Sequence, residues 1–474
     1  MLALWSLIPP LVAGVLLFCR RTALTASLVA LGAGIILTVF VPSFHLSPTK
    51  LTDTILTLAG PSLEVVLIML GGIWFDRAMQ ALRLQEPLGD WLLKLSNDPV
   101  RRILLMVLGV TPFIESVTGF GVGVVLAAPL LMRMGFSPRQ AAILGLLGFV
   151  AVPWGALAPG TLVAAVLTGT PFQDVGVASA LLSFPVFLFI GGFALAYELG
   201  IKTALNRMGE LLIIAFSLWV GVVGANLFSG TPTAGALGSL VAIVVLLARV
   251  RFVEGHRPHM NKALGTALAP YGFLLAFLLS GRLLVMTGVS GGDLERLLIS
   301  PATWLWVTSA GLSMLVHRRG AIRWDHPLRE ALRRWWSVAL STLAFLALGG
   351  LMTASGMSDA LAEQTAGLGR AYAFFIPWIG GLGGYLTGSN TGANAMFAVA
   401  QAHGAGGAGL SVLWAVAGQN VAASLLTMAS PPRIALAATV VGDDAVASSI
   451  FRPVLLADAM VLAALSLILF GLAG

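Results

Sequence analysis

The chain has 474 residues, of which 58% are hydrophobic and only 10% are charged. Soluble domains carry about 25% charged residues, so a soluble fold of this length would lack the polar surface to cover its core. The net charge of +7 does not indicate a nucleic-acid partner, because the basic residues lie in short loops between long apolar runs. The composition therefore predicts an all-α polytopic membrane protein whose surroundings are the lipid bilayer.

The apolar runs are about 20 residues long and end at charges or turn residues, which is typical of transmembrane helices. The first, 2–19, follows neither a charged n-region nor an A-x-A cleavage site, so we expect a retained span and not a signal peptide. We expect about 12 transmembrane helices, at 2–19, 22–41, 55–76, 139–168, 177–199, 211–228, 233–250, 266–286, 299–316, 335–355, 408–442 and 453–473.

Two further apolar stretches, 101–134 and 371–404, have polar and glycine-rich centres. Basic residues stand at both ends of the first stretch, which indicates that it enters the membrane and returns to the same side. We therefore predict two re-entrant hairpins, with their tips near 115–121 and 387–394.

Basic residues also orient the chain, since cytoplasmic loops are enriched in Lys and Arg. With the loop at Arg20 and Arg21 placed in the cytoplasm, all but five of the 27 Lys and Arg residues fall on the cytoplasmic side. The exceptions are Lys50, Arg282, Arg296, Arg370 and Arg433. This asymmetry predicts that both termini lie outside. The predicted cytoplasmic loops are 76–102, 133–139, 200–210, 249–265, 317–334 and 443–452.

The two hairpins match each other at an offset of 273 residues. The matched pairs include Ser116 with Ser389, Thr118 with Thr391, Gly119 with Gly392 and Pro159 with Pro432. The match predicts repeat 1 at 1–200, a linking helix pair at 201–265 and repeat 2 at 266–474. Each repeat would hold three spans, a hairpin, a broken span and a final span. An odd number of spans between equivalent elements makes the repeats inverted, which is a signature of secondary transporters.

Four interruptions should converge near the bilayer centre: the two tips, and proline- and glycine-rich breaks in the spans 139–168 and 408–442. Helix N-termini exposed at that depth carry partial positive charge and N–H groups, which suit an anion. Hydroxyl, amide and guanidinium donors nearby are the predicted substrate-binding residues, together with one tip glycine: Ser116, Thr118, Gly119, Ser389, Asn390, Thr391, Asn394 and Arg433. The alternative is that the small residues only allow helices to pack closely.

Ionisable residues at membrane depth point to function, because they are costly there. Arg433 can pair with a substrate carboxylate through two parallel hydrogen bonds, or with a structural acid such as Asp443 or Asp444. Glu115, at the first tip, is the predicted coupling residue that carries a proton. Its alternative role is to hold the backbone N–H groups of the tip.

Motifs for other chemistry are absent from the sequence. There is no H-E-x-x-H motif, no P-loop and no Cys/His cluster, and Cys19 is the single cysteine. We therefore predict that the protein is not an enzyme and has no catalytic residues, no metal site and no cofactor. The coupling ion would be a proton, or alternatively sodium.

Two segments carry a resemblance to a known family. The segment 113–121, F-I-E-S-V-T-G-F-G, running on to A-A-P-L, resembles the F-[LI]-E-G-x-x-G-F-G segment of the bacterial L-lactate permease family. The segment 384–391, G-Y-L-T-G-S-N-T, followed by N-A-M-F, is similar to a second segment of that family. The resemblance covers most of the chain in order. The chain departs from the family where Asn390 replaces a more frequent Asp, Thr427 an expected Lys, and Pro432–Arg433 a Gln-Ser pair.

The resemblance implies proton-coupled symport of a small monocarboxylate such as lactate or glycolate across the bacterial inner (plasma) membrane. The Ser-Asn-Thr tip also resembles the sodium-coupled dicarboxylate transporters, which share an inverted-repeat plan with two hairpins and move substrate by an elevator motion. An elevator-type ion transporter fold is therefore expected, and a homodimer is compatible with it. The alternatives are a sodium-coupled carboxylate or other small-anion transporter, and an anion exporter or channel.

Overall fold

The computed structural model describes residues 2–255, 261–288, 292–318 and 323–473. This part of the chain is 86% helical and contains no strand. It has eight helices long and apolar enough to cross a membrane, or up to eleven if each of three bent helix pairs is one span. The chain therefore has the all-helical, multi-span architecture predicted from composition. The predicted cytoplasmic loops 249–265 and 317–334 lie partly outside the described residues.

Fourteen α-helices precede residue 256 in the described part. They are α1 (Leu2–Phe18), α2 (Ala23–Phe40), α3 (Pro48–Ala81), α4 (Gln85–Leu92), α5 (Pro99–Leu105), α6 (Thr111–Thr118), α7 (Val122–Arg133), α8 (Pro138–Leu147), α9 (Pro159–Thr168), α10 (Phe172–Leu182), α11 (Phe184–Leu199), α12 (Ile201–Asn206), α13 (Met208–Phe228) and α14 (Ala234–Glu254). A π-helical turn (Met106–Val110) joins α5 to α6, and a 3-10 segment (Phe149–Leu157) lies between α8 and α9.

The second part of the chain continues with ten α-helices in the described ranges. They are α15 (Lys262–Met286), α16 (Asp293–Ile299), α17 (Pro301–Arg318), α18 (His326–Ala354), α19 (Met357–Thr365), α20 (Ala371–Thr387), α21 (Asn390–Gly407), α22 (Val412–Leu426), α23 (Pro431–Val441) and α24 (Val446–Leu472).

Each predicted span overlaps a helix or a bent helix pair, but the bounds differ in places. The predicted span 177–199 is two helices, α10 and α11, bent by 41° where Pro185 starts the second one. Helix α3 has 34 residues and extends beyond the predicted 55–76 at both ends, where its sequence is more polar. The short helices α4, α12, α16 and α19 were not predicted, because they are too short and too polar to form an apolar run.

Helical hairpins occupy both stretches predicted to be hairpins. In the first, α6 and α7 pack against each other and are joined by residues 119–121, called tip 1. In the second, α20 and α21 pack against each other and are joined by residues 388 and 389. These two residues and the first two of α21, 388–391 in all, are called tip 2. Gly388 ends α20 in the left-handed conformation (φ +62°), and Ser389 caps α21 by accepting a hydrogen bond from the Gly392 N–H at 3.2 Å.

Helices end and restart within two of the predicted spans, 139–168 and 408–442. Break 1 is the 3-10 segment between α8 and α9 together with Ala158, and break 2 is residues 427–430 between α22 and α23. Pro159 and Pro431 each occupy the first position of the helix that follows, where a missing N–H costs nothing.

Ion pairs join α13 and α14, the predicted linking helix pair, to Arg101 of α5. Arg101 stands at the start of the first hairpin stretch, called hairpin 1. Arg101 Nε lies 2.6 Å from Glu210 Oε1, and its Nη1 lies 2.6 Å from Glu254 Oε1. Arg207 joins the cluster by pairing with Asp98 and, at 2.9 Å, with Glu210. Breaking a buried pair by removing one partner costs about 3–5 kcal/mol. The linking pair is therefore held firmly against hairpin 1.

Candidate functional site

Tip 1 contacts both breaks. Gly119 packs so closely on Ala156 of break 1 that a methyl group at position 119 would overlap it. Gly121 faces the guanidinium of Arg433, in the first turn of α23, with the same consequence. Both glycines have a positive φ, +64° and +90°, which residues with a side chain rarely adopt. Tip 1 thus requires glycine both for its backbone conformation and for the close approach of its neighbours.

Tip 2 contacts the same two breaks. A Cβ built on Gly388 would lie 3.1 Å from Ser430 Oγ of break 2. A Cβ built on Gly160, just after break 1, would lie 2.9 Å from Asn390 Cγ and 3.0 Å from the backbone nitrogen of Thr391. The two tips and the two breaks therefore form a ring in which each tip lies beside each break.

Break 1 has a strained backbone. Ala156, Leu157 and Ala158 have φ values of +40°, +66° and +76°. Residues other than glycine in the left-handed region cost about 1–3 kcal/mol each and persist only where surrounding packing enforces them. All three residues are buried, and Thr161 fixes the far side of the break by donating a hydrogen bond to Pro153 O at 2.5 Å.

Glu115 caps the second helix of hairpin 1. Its Oε1 accepts a hydrogen bond from the Gly121 N–H at 3.1 Å, and its Oε2 accepts one from the Gly123 N–H at 3.0 Å. A helix N-terminus stabilises a nearby negative charge, so α7 provides a favourable position for this carboxylate. The alternative role suggested by the sequence, holding the N–H groups of the tip, is thus present in the structure.

Arg433 lies on the opposite side of the same carboxylate. Its Nη2 is 3.6 Å from Glu115 Oε1, and its guanidinium carbon is 4.9 Å from the centre of the Phe149 ring. Its side chain is 11% exposed, and among the described residues Nη1 has no hydrogen-bond partner. The alternative acids Asp443 and Asp444 are exposed, and the acid within 4.0 Å of Arg433 is Glu115 instead.

A network of uncharged side chains surrounds tip 2, centred on Asn420 of α22. Asn420 Oδ1 accepts hydrogen bonds from Nδ2 of Asn390 at 2.9 Å and of Asn394 at 2.8 Å. Asn420 Nδ2 donates to Thr161 Oγ1 at 3.0 Å and to Ser179 Oγ at 2.9 Å. All five side chains are buried, and the network joins hairpin 2 to α9 and α10.

The network continues away from the tip along α21. Asn394 Nδ2 also donates to Gly160 O at 3.1 Å. Gln401 Nε2 donates to Gln419 Oε1 at 3.2 Å, and Tyr372 OH donates to Gln401 Oε1 at 2.7 Å. Each of these polar atoms has a partner, which is the condition for burying polar groups at low cost.

The predicted site residues do not all meet at one point. Gly119, Glu115 and Arg433 lie together at tip 1, and the side chains of Asn390 and Asn394 lie in the amide network. Ser389 and Thr391 lie at tip 2.

Ser116 and Thr118 direct their hydroxyls into their own helix. Their hydroxyls donate within α6, to Pro112 O and Ile114 O, each at 2.7 Å. Ser116 also packs against Gly235 of α14, on the side of the linking pair. In this conformation neither hydroxyl proton is available to a ligand.

Sequence analysis missed several polar residues. Asn420, Gln419 and Thr161 belong to the amide network beside tip 2, and the signal for them was an amide or hydroxyl inside an apolar run. Asp458 is a fully buried acid of α24 beside the backbone of Ala429 in break 2. In the part of the chain that the structure describes, neither of its oxygens has a hydrogen-bond partner. An isolated acid in an apolar span was the signal for it.

The charges at tip 1 decide what the ring can bind. The described residues contain no group of three or more His, Cys, Asp or Glu that could hold a metal ion. The separation of 3.6 Å between Arg433 and Glu115 exceeds the 2.7–2.9 Å of a strong charge-assisted hydrogen bond. Nη1 of Arg433, which is buried against Gly121, therefore keeps unused hydrogen-bonding capacity beside tip 1.

Comparison with known proteins points in the same direction. The sequence model of the family described as L-lactate permease matches residues 3–267 and 258–473. The chain is 26% identical over 423 residues to an L-lactate permease of Salmonella typhimurium, covering 76% of this chain and 75% of the relative. It is 26% identical over 416 residues to one of Escherichia coli (strain K12), with the same coverage, and 23% identical over 421 residues to one of Halalkalibacterium halodurans, covering 79% and 78%.

Proposed function

The chain belongs to the L-lactate permease family, and on this premise we propose that it is a secondary transporter that moves a small monocarboxylate such as lactate or glycolate together with protons. It is a polytopic membrane transporter and not an enzyme. The relatives named above are L-lactate permeases, which supports lactate as the first substrate to test.

The observation that carries the proposal is the buried guanidinium of Arg433 between tip 1 and break 2. A substrate carboxylate would accept hydrogen bonds from Arg433, and the backbone N–H groups of tip 1 would lie close to the same anion. At tip 2, Ser389 and Thr391 would face the rest of the substrate. The amides of Asn390 and Asn394 would hold the backbone of tip 2 in place, since their hydrogen bonds are already made.

Charge balance supports proton coupling. In the structure one guanidinium faces one carboxylate, so the pair is neutral. When a substrate carboxylate joins Arg433, the site holds two carboxylates and one guanidinium. A net charge buried in a membrane is costly, and a proton on Glu115 removes it. The site thus favours the arrival of one anion with one proton.

In this proposal the protein is an elevator-type transporter with two inverted repeats, 12 transmembrane helices and two re-entrant hairpins. Both termini would lie outside the bacterial inner membrane, and a homodimer would form through the helices that do not move. The buried ion pairs of Arg101 support an assignment of the linking helix pair within this motion. The pair α13–α14 would move with hairpin 1 and not with the static helices.

The experiment is uptake of labelled lactate and glycolate into liposomes containing the purified protein. We expect uptake driven by an inward proton gradient and unchanged when choline replaces sodium. Uptake that requires sodium would replace proton coupling with sodium coupling. Fluxes above carrier turnover would indicate a channel. A failure of both acids to enter, in liposomes whose orientation and protein content are verified, would exclude them as substrates.

A further inference from the structure

A cavity of about 540 Å³ lies beside the ring of tips and breaks. Its walls come from Glu64 of α3, from Leu157 of break 1, from Arg282 of α15, and from residues 299–301 where α16 meets α17. Helices α16 and α17 are bent by 63° at that junction. The cavity therefore lies between elements of the ring and helices outside it.

Two arginines, Arg282 and Arg296, line this cavity, and Arg296 lies 3.9 Å from the exposed Asp293. Within the described ranges, Arg282 has no such acid beside it. It is partly buried, and its Nε is buried with no hydrogen-bond partner among the residues described. Glu64, in the same wall, accepts a hydrogen bond from Ser300 Oγ at 2.6 Å, so the wall holds two guanidinium groups and one carboxyl group. No Asp or Glu of the described chain lies within 4.0 Å of the Arg282 guanidinium. A guanidinium in this state attracts an anion.

The cavity reaches the ring through break 1. Leu157 lines the cavity, and its neighbour Ala156 packs against Gly119 of tip 1. The strained residues 156–158 therefore separate the cavity from the position of the substrate at tip 1. A shift of residues 156–158 would connect the cavity with the proposed substrate position at tip 1.

We propose that this cavity is a vestibule in which Arg282 binds a small monocarboxylate before it enters the ring. The inference rests on the proposed function, since the anion is the transported substrate. The carboxylate pairs with the guanidinium, and the apolar walls formed by Leu157, Leu162 and Phe172 accept its carbon end. The vestibule raises the local concentration of the anion next to break 1.

Transport kinetics provide the first test. In liposomes with labelled lactate, Arg282→Gln raises KM about tenfold and leaves the maximal rate within twofold, because the lost contact precedes translocation. The control is Lys50→Gln, an exposed basic residue predicted on the same side of the membrane, and its KM stays at the wild-type value. Equal KM values for the two variants would overturn the vestibule.

Thiol protection provides a second test that does not require transport. Cys19 is the single cysteine, so Ser229→Cys in a Cys19→Ser chain places one thiol in the cavity wall. Lactate slows its reaction with a membrane-impermeant maleimide at least threefold, and adding Arg282→Gln abolishes this protection. Protection that is absent, or that survives Arg282→Gln, would contradict the proposal. Absence of lactate uptake by the wild type would count against the proposed function alone, because protection is measured independently.

Discussion

The two hairpin tips differ in backbone and in chemistry. Tip 1 has three consecutive residues with positive φ, whereas in tip 2 Gly388 alone has a positive φ. Tip 1 faces a charged pair, in which Arg433 Nη2 lies 3.6 Å from Glu115 Oε1. The Nη1 atom of Arg433 has no hydrogen-bond partner in the described chain. Tip 2 is held by Asn390, Asn394 and Asn420, which carry no charge. The hydrogen bonds among these three side chains are 2.8–3.0 Å long. The guanidinium of Arg433 can exchange one anionic partner for another. The amide groups at tip 2 already have hydrogen-bond partners, so a new ligand would have to displace one of them.

This difference suits the two tips to different roles in the proposed function. A buried charged pair changes its net charge when an anion or a proton arrives, so tip 1 is where substrate and coupling ion can influence each other. A saturated amide network responds to neither, but it fixes a backbone in position. The amide of Asn390 carries no charge, so under the proposed function substrate and proton would influence each other at tip 1.

The largest effect should come from Arg433→Ala. It leaves Glu115 buried without its cation, which costs about 3–5 kcal/mol, and it removes the proposed anion contact. We expect lactate uptake in liposomes to fall at least a hundredfold. Arg433→Lys keeps the charge without the planar fork and should retain a measurable fraction of uptake. Arg452→Ala, at an exposed arginine of α24, is the control and should transport normally. Substantial uptake by Arg433→Ala would remove tip 1 as the anion site.

Asn420→Ala tests the neutral side of the comparison. It removes the acceptor of Asn390 Nδ2 and Asn394 Nδ2 and the donor to Thr161 and Ser179. Asn394 and Thr161 keep Gly160 O and Pro153 O as acceptors, whereas Asn390 Nδ2 loses its partner, and an unsatisfied buried group costs about 1–3 kcal/mol. We expect a loss of about 2–3 kcal/mol in the free energy of unfolding, measured by thermal or denaturant unfolding in detergent. Asn206→Ala, at an exposed asparagine, should change it by less than about 0.5 kcal/mol. Equal stabilities would show that the network does not hold tip 2.

The sequence predicted the placement of the interruptions better than the contacts between them. Glycine and proline define where helices stop, so both tips and both breaks were located from local chemistry. The partner of Arg433 was not predictable, because Glu115 is 318 positions away in the sequence and the nearer acids Asp443 and Asp444 are equally plausible chemically. The amide network was missed because Asn420 lies within an otherwise apolar run, where averaging over a span hides a single polar residue.

Glu115→Gln sharpens the assignment of the proton. The amide keeps the shape of the side chain and one acceptor for the N–H groups of tip 1, but it carries neither charge nor a transferable proton. We expect gradient-driven net uptake to fall about tenfold or more, whereas exchange of labelled for unlabelled lactate persists. The control is Glu363→Gln, an exposed acid of α19, which should leave both modes unchanged. Net uptake that still follows the proton gradient in Glu115→Gln would place the coupling proton elsewhere, and Asp458 would be the next acid to test.

The smallest effect should come from Ser116→Ala. The hydroxyl donates to Pro112 O of its own helix and packs on Gly235, so its loss removes an intrahelical bond and leaves Pro112 O, at the first turn of α6, without that donor. Ser217→Ala is matched, because the hydroxyl of Ser217 makes the same bond to Ile213 O at 2.6 Å on the exposed face of α13. We expect both variants to change KM for lactate less than twofold and stability by no more than about 1 kcal/mol. A KM raised tenfold in Ser116→Ala alone would contradict this expectation. It would mean that α6 rotates during transport and presents the Ser116 hydroxyl to the substrate. Tip 1 would then contact the substrate through a hydroxyl group as well as through charge.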